Sequence, residues 1–180
     1  MNIFMLSIDH EECALMHCNK HVVKMIIEYA QLLSTCHRYL DGEEYQEVTA
    51  LGRKIKRWRH PNKHLEEHLY KASHIKHPSN IWVRQSRENY IWLYKLWKKL
   101  CKEYTYRYGK IHLTWTKLNP YLRYIPKNIP RISMTKMLQA MPSEYKNNDP
   151  VLGYRTYYIK DKQKIAEWTK RDVPEWYTIS

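Results

Sequence analysis

The stretch "NKHVVKMIIEYAQLLS" (19–34) decides how this chain is read. Val22, Val23, Ile26, Tyr29, Ala30 and Leu33 recur at the spacing of one helix face. His21, Lys24, Glu28 and Gln31 break into that pattern at helical steps of their own. At about 100° per residue, with His21 at 0°, Gln31 falls at about 280°, Lys24 at about 300°, His17 at about 320° and Glu28 at about 340°. The apolar set occupies about 80–200°. One helix over about 10–37 therefore carries a narrow titratable stripe, flanked by Leu32 and Met25 on one edge and Ile27 on the other. A stripe so flanked is expected to be partly covered. His, Lys and Glu packed side by side under partial cover shift one another's pKa values, as a catalytic site requires. The plain alternative is a solvated face with an ordinary i,i+4 ion pair between Lys24 and Glu28.

Outward from this helix the chain reads as mainly α. Asp9 fits an N-cap, with Glu11 and Glu12 in the first turn where the helix dipole favours acids. The preceding "MNIFMLSI" is a short strand or a buried tail. A second helix is expected over about 81–108, with Asn89, Leu93, Leu96, Trp97, Leu100 and Tyr104 on one face and Gly109 as its stop. A third is expected over about 150–170. Residues 38–80 read as irregular and polar, and most of the eight prolines fall in 110–150. The expected fold is one compact domain, 1–180, of three main helices joined by long basic and Pro-rich connections.

Lys and Arg number 31 against 18 Asp and Glu, a formal net charge of +13, and such a field attracts polyanions, nucleic acid first. The chain also holds 16 Tyr and 7 Trp but one Phe, and rings with a polar tip suit stacking on bases and bonding to phosphates. A lysine-rich, AT-biased genome would also raise Lys and Tyr together. No run approaches the roughly 20 apolar residues of a membrane span. The start lacks the basic n-region of a signal peptide. Cys13, Cys18, Cys36 and Cys101 lack CxxC spacing and read as reduced thiols.

Phosphate-binding glycine loops and the GxSxG elbow are absent from the sequence. His60, His64, His68, His74 and His77 crowd together, and "HLEEH" (64–68) sets two of them at i,i+4, a spacing that chelates zinc. It is not HExxH, and the basic surround repels cations. No metal and no cofactor are therefore expected, and these histidines are read as solvated or phosphate-contacting.

Several short motifs, in order, carry a resemblance. "HVVKMIIE" places His21 and Glu28 seven residues apart; "HPSNIW" (77–82) precedes the second helix; "YTYRYGK" (104–110) ends it; "VPEWY" (173–177) lies in the tail. Together they resemble the phage pyrimidine-dimer DNA glycosylases of the endonuclease V type. The block "QAMPSEYKNNDPVLGYRTYY" (139–158) has no counterpart there, and it resembles a block of phage proteins in a sister branch.

The resemblance implies a basic helical enzyme acting on a damaged or modified pyrimidine in double-stranded DNA, in the cytoplasm of an infected bacterial host. It implies that Glu28 stabilises positive charge on the sugar or moves protons, that His21 orients it or contacts a phosphate, and that an amine attacks C1′. In that family the amine is the N-terminal one, freed by removal of Met before a small residue. Here residue 2 is Asn, so Met1 is expected to stay and to supply an amine whose ordinary pKa of about 8 suits imine chemistry; Lys24 or Lys20 is the substitute. Arg53, Lys54, Lys56, Arg57, Arg59 and Lys63 would hold phosphates, with Arg84, Arg107, Lys110 and His77 extending the set. Trp58, Trp82 or Tyr108 would stack on a flipped base. His17, Gln31, Tyr145, Lys146, Asp149, Arg155 and Tyr158 would line a substrate pocket. In a second reading the same surface serves a transferase that adds a small amine to a thymine derivative in phage DNA. In a third the chain binds DNA or a host protein without catalysis.

Overall fold

A computed structural model describes residues 2–177, and Met1 lies outside them. The chain is mainly helical, with seven α-helices and one small two-stranded sheet among the described residues. Each of the three long helices expected from periodicity is shorter or divided. The first is two helices, α1 (His10–Met16) and α2 (Asn19–Asp41). The second is α4 (Pro78–Gln85) and α5 (Arg87–Tyr108). The third is α7 (Pro150–Asp161), which stops well before 170. Between them lie α3 (Lys63–His68) and α6 (Leu113–Leu122).

Both divisions have local causes. His17 and Cys18 take extended backbone angles, and the His17 ring closes α1 by donating from Nδ1 to the Cys13 carbonyl at 2.6 Å. A C-terminal segment then docks into the break: the Asn19 amide donates to the Glu167 carbonyl, and Asn19 Oδ1 accepts from the Thr169 amide. At the second break Ser86 is extended, and its Oγ accepts from the Glu88 and Asn89 amides, a helix N-cap. The same Oγ donates to the Ile132 carbonyl, so a segment of the Pro-rich connection fills this gap as well.

The segment 38–80, expected to be irregular, contains a β-hairpin. β1 (Glu43–Val48) pairs antiparallel with β2 (Lys54–Arg59), Glu43 opposite Arg59 and Val48 opposite Lys54. Half of the basic run 52–63 is thus a strand, set against a partner with three glutamates. Gly42 joins α2 to the hairpin where a Cβ would meet the Arg38 and Arg59 carbonyl oxygens, so only glycine fits without backbone movement.

The core lies between α2 and α5, with α1 packed on α5 and α4 on α2. Trp97 of α5 is fully buried and donates from its indole to the Ile26 carbonyl at 2.9 Å. Asn89, counted from the sequence with the apolar face, is buried as a polar link: it bonds the Trp82 carbonyl and both the amide and hydroxyl of Thr135. Gly109 ends α5 at φ 68°, as its position predicts. The N-terminal segment is a buried tail, with Ile3, Phe4, Met5 and Leu6 inside and no strand. Asp9 caps α1 from its Oδ1. The four cysteines are free and buried. No helix among the described residues is long and apolar enough to cross a membrane.

Candidate active site

The buried arc of α2 includes Met25, Leu32 and Cys36 as well as Val22, Ile26, Tyr29, Ala30 and Leu33, while Val23, expected on that face, points outward with Ile27. The stripe therefore straddles the boundary between core and solvent. Lys24 is exposed, Glu28 is mostly covered at 17% side-chain exposure, and His21 is buried. Lys24 Nζ stands 3.2 Å from Glu28 Oε1. On the other oxygen, Glu28 Oε2 accepts the backbone N–H of Asn2 at 3.3 Å. The carboxylate thus links α2 to the start of the described chain.

The N-terminal segment is held in that place from three sides. The Phe4 amide donates to Tyr29 Oη at 3.2 Å, and Tyr29 in turn meets His17 Nε2 at 3.0 Å. The Phe4 ring stacks on His21 at 4.3 Å, and His21 Nδ1 bonds the Tyr158 hydroxyl. Asn2 donates from Nδ2 to the Ala140 carbonyl at 2.7 Å and accepts from the Tyr154 hydroxyl at 2.8 Å. The 139–158 block therefore packs directly on residues 2–6, with Arg155 Nε donating to the Leu6 carbonyl. Within the block, Gly153 leaves room for the Gln139 side chain, whose amide oxygen a Cβ there would overlap.

Burial lowers the pKa of His17 to about 4 and pushes that of His21 far below its ordinary value, so both rings are neutral. His17 is not on the helix that carries Glu28. It is a satisfied core ring, which corrects its place in the stripe and in a substrate pocket. His21 is likewise packing for Phe4 and Tyr158, and a ring so buried is closed to a phosphate. Tyr158 is fully buried, and Asp149 caps α7 by accepting from the Val151 amide. Tyr145 stacks on Tyr157 at 5.5 Å. Gln31 is engaged with the Lys71 carbonyl at 2.7 Å. Of the expected pocket residues, Lys146 does line a cleft, a shallow one of about 440 Å³ with Pro78, Ile81, Lys136 and Gln139, beside the N-terminal segment. His77, half-exposed, caps α4 by accepting the Ser79 amide. Burial lowers its pKa, and the Glu28 carboxylate opposes that shift, which puts the two groups within electrostatic reach.

The expected DNA contacts divide into two sets. Arg53, Lys54, Lys56, Lys63 and Lys110 are exposed. Lys56 pairs with Glu44 at 2.7 Å, Arg57 with Glu47 at 2.7 Å, and Arg59 lies over the Tyr45 ring. The β1 glutamates thus offset part of the charge read from β2 alone. Arg84, Arg107, Trp58 and Trp82 are corrected to structural places. Arg84 donates to the Ile75 carbonyl and covers the Tyr39 ring. Arg107 is buried on Glu103 at 2.6 Å and bonds Asn19 and the Leu15 carbonyl. Trp82 is fully buried and donates to the Thr135 carbonyl, and Trp58 is buried against Tyr39. Tyr108 remains partly exposed at the end of α5.

Asn2, Phe4, Tyr29 and Tyr154 were missed by sequence reasoning because their roles arise from a contact between the two ends of the chain. No family model, curated protein or solved structure matches this chain.

Proposed function

We propose that this protein is a DNA-binding enzyme that acts on a damaged or modified pyrimidine in double-stranded DNA, by a glycosylase and lyase route through an imine. The observation that carries this reading is the Glu28 carboxylate, mostly covered and bonded to the amide of Asn2 at the N-terminal segment. A carboxylate in that position can stabilise positive charge on a deoxyribose and take or return protons. An amine attacks C1′; the glycosidic bond breaks and the base leaves with its electron pair, taking up a proton. The sugar ring opens to an imine with the amine, and loss of a 2′ proton then expels the 3′ phosphate. Two amines are candidates, that of the first residue, Met1, and Lys24 Nζ beside Glu28. The exposed Arg53, Lys54, Lys56, Lys63 and Lys110 supply a sequence-independent hold on phosphates. The activity is similar to that of the pyrimidine-dimer glycosylases, and its setting is the cytoplasm of an infected bacterial host.

The test is incubation with duplex DNA carrying pyrimidine dimers or abasic sites, in the presence of borohydride. A covalent protein–DNA adduct supports the reading. An intact glycosidic bond with no adduct rejects it. A base that is retained with added mass, in the presence of a small amine donor, favours the transferase reading, whose donor would sit in the cleft beside Lys136 and Lys146.

A further inference from the structure

A pocket of about 790 Å³ lies away from Glu28, at the C-terminal end of α2. Its wall includes Tyr121, Tyr124, Arg123 and Lys127, and its floor holds His37, Asp41 and His60. His37 and Asp41 are one helical turn apart on α2, and His60 follows the last residue of β2. One ring nitrogen each of His37 and His60 and a carboxylate oxygen of Asp41 lie within 4.8 Å of one another. His60 Nε2 is 4.0 Å from Asp41 Oδ2, too far for a hydrogen bond.

The hydrogen bonds behind these groups aim them inward. The Tyr90 hydroxyl donates to the Leu122 carbonyl at 2.8 Å, so His37 Nε2, which meets Tyr90 Oη and the Tyr124 carbonyl, is the ring's donor. The lone pair of His37 is then on Nδ1, buried and without a hydrogen-bond partner. Asp41 accepts the Lys127 amide at 2.7 Å on Oδ2 and the Asn128 amide at 2.9 Å on Oδ1, and each oxygen keeps a lone pair. His60 Nε2 is also buried without a partner. Buried polar atoms left without partners are rare, and here two of them lie beside one carboxylate. Burial holds the His37 pKa down at about 4 and lowers that of His60, so both rings are neutral at pH 7, as ligation requires.

We propose that His37 Nδ1, Asp41 and His60 Nε2 bind a divalent first-row transition-metal ion on the floor of this pocket. Two imidazoles and one carboxylate suit zinc or iron(II), and three protein ligands leave a position open to the pocket, where Arg123 and Lys127 favour an anionic fourth ligand. Ligand distances of about 2.0–2.2 Å require the three atoms to close on one another by about 1 Å. His60 Nδ1 accepts the Asn62 amide at 3.1 Å, so the ring's proton must move from Nε2 to Nδ1 and the Asn62 amide must turn away. The buried cation that acts on His60, Arg38, is offset by its ion pair with Glu66. This site does not rest on the reading of Glu28.

The test is a zinc titration of the full chain after dialysis against a chelator, followed by competition with a chromophoric chelator. One equivalent is expected to bind, and cobalt(II) in its place is expected to give the visible bands of a four- or five-coordinate ion. His37→Gln and His60→Gln should each weaken binding at least about 100-fold, while His68→Gln and His74→Gln, outside the floor, should not change it. Circular dichroism checks that each variant folds. Should either floor variant unfold, the imidazole 15N shifts of the native protein decide: zinc must move His37 Nδ1 and His60 Nε2. Absence of stoichiometric binding, binding unchanged in both folded floor variants, or shifts at other histidines only would overturn the proposal.

Discussion

Glu28 and His37 stand about 14 Å apart along α2, yet their surroundings differ in kind. Glu28 sits where the helix meets solvent, with one oxygen toward an exposed lysine and the other toward the N-terminal segment. His37 sits under a pocket, its ring fixed by hydrogen bonds from α5 and from the loop after α6. The first arrangement comes from one helix face and one docked tail. The second needs α2, the end of β2 and the 124–128 loop together. A helix face can be read from spacing; a convergence of three segments cannot. The two regions also differ in chemistry: a carboxylate beside a lysine amine suits imine formation, and two neutral imidazoles with one carboxylate suit a metal.

The sharpest way to break the separation is to exchange the lesions. Glu28→Gln should lower cleavage of dimer-containing or abasic DNA by about 1,000-fold or more, with binding affinity nearly unchanged. His37→Gln should leave cleavage within a few-fold of the native rate. Single-turnover assays on both variants measure this, and parallel losses would merge the two sites into one.

Arg38 bears on one region only. It is buried at 3% exposure, and its guanidinium bonds Glu66 and the carbonyls of Trp58, Glu66, Leu69 and Tyr70. Glu66 also accepts the His60 amide, so this cluster positions the pocket floor. Arg38→Ala takes the donor away from the Trp58, Leu69 and Tyr70 carbonyls and should cost about 2–4 kcal/mol in urea unfolding. A fraction that stays folded should lose zinc binding before it loses DNA affinity.

Acid should weaken both regions through their buried rings. His17 and His37 have folded-state pKa values near 4, below the ordinary histidine value, because burial disfavours their charged form. The unfolded chain therefore binds protons that the folded chain does not between about pH 6.5 and pH 4. Their contribution is present above pH 6.5 and is lost as pH falls through that window, by up to about 1.4 kcal/mol per pH unit per ring. Urea melts at pH 7 and pH 5 measure the difference. His17→Gln and His37→Gln should each flatten it.

The smaller effects concern the surface. Replacing Arg53, Lys54 and Lys56 together by Ala should reduce DNA affinity alike on every sequence. The magnitude of the salt slope should fall by up to about 0.9 for each phosphate no longer neutralised. The existing pair between Lys56 and Glu44 argues for a drop smaller than three free cations would give. Lys24→Ala should change stability by less than about 0.5 kcal/mol, as expected for an exposed i,i+4 pair. Its effect on adduct formation is the more telling readout, since it removes one of the two candidate amines.

The sequence made the helices legible where periodicity ran unbroken, as over Asn19–Asp41 and Arg87–Tyr108. Their N-terminal limits were missed at His17 and Ser86, because each break is stabilised by a distant segment docking into it. The hairpin was missed because β2 read as a basic run, and its pairing with "EEYQEV" is a tertiary fact. Glu28 and Lys24 could be placed by angle alone. The burial of His21 and Tyr158 could not, since it depends on Phe4 and α7 arriving from opposite ends of the chain. The histidine crowd drew attention to "HLEEH", yet His68 turns back to the His64 carbonyl and stacks on Tyr121. Only His60 of that crowd joins the floor cluster, with partners from α2 whose i,i+4 spacing, His37 and Asp41, was present but unweighted.

The most direct test of the enzyme reading is to map the borohydride-trapped adduct by peptide mass spectrometry on the native protein and on Glu28→Gln. The account predicts an adduct on a single amine in the native protein, in the first peptide or at Lys24, and loss of that adduct in Glu28→Gln. An adduct scattered over surface lysines, or one formed equally well without the Glu28 carboxylate, would contradict it.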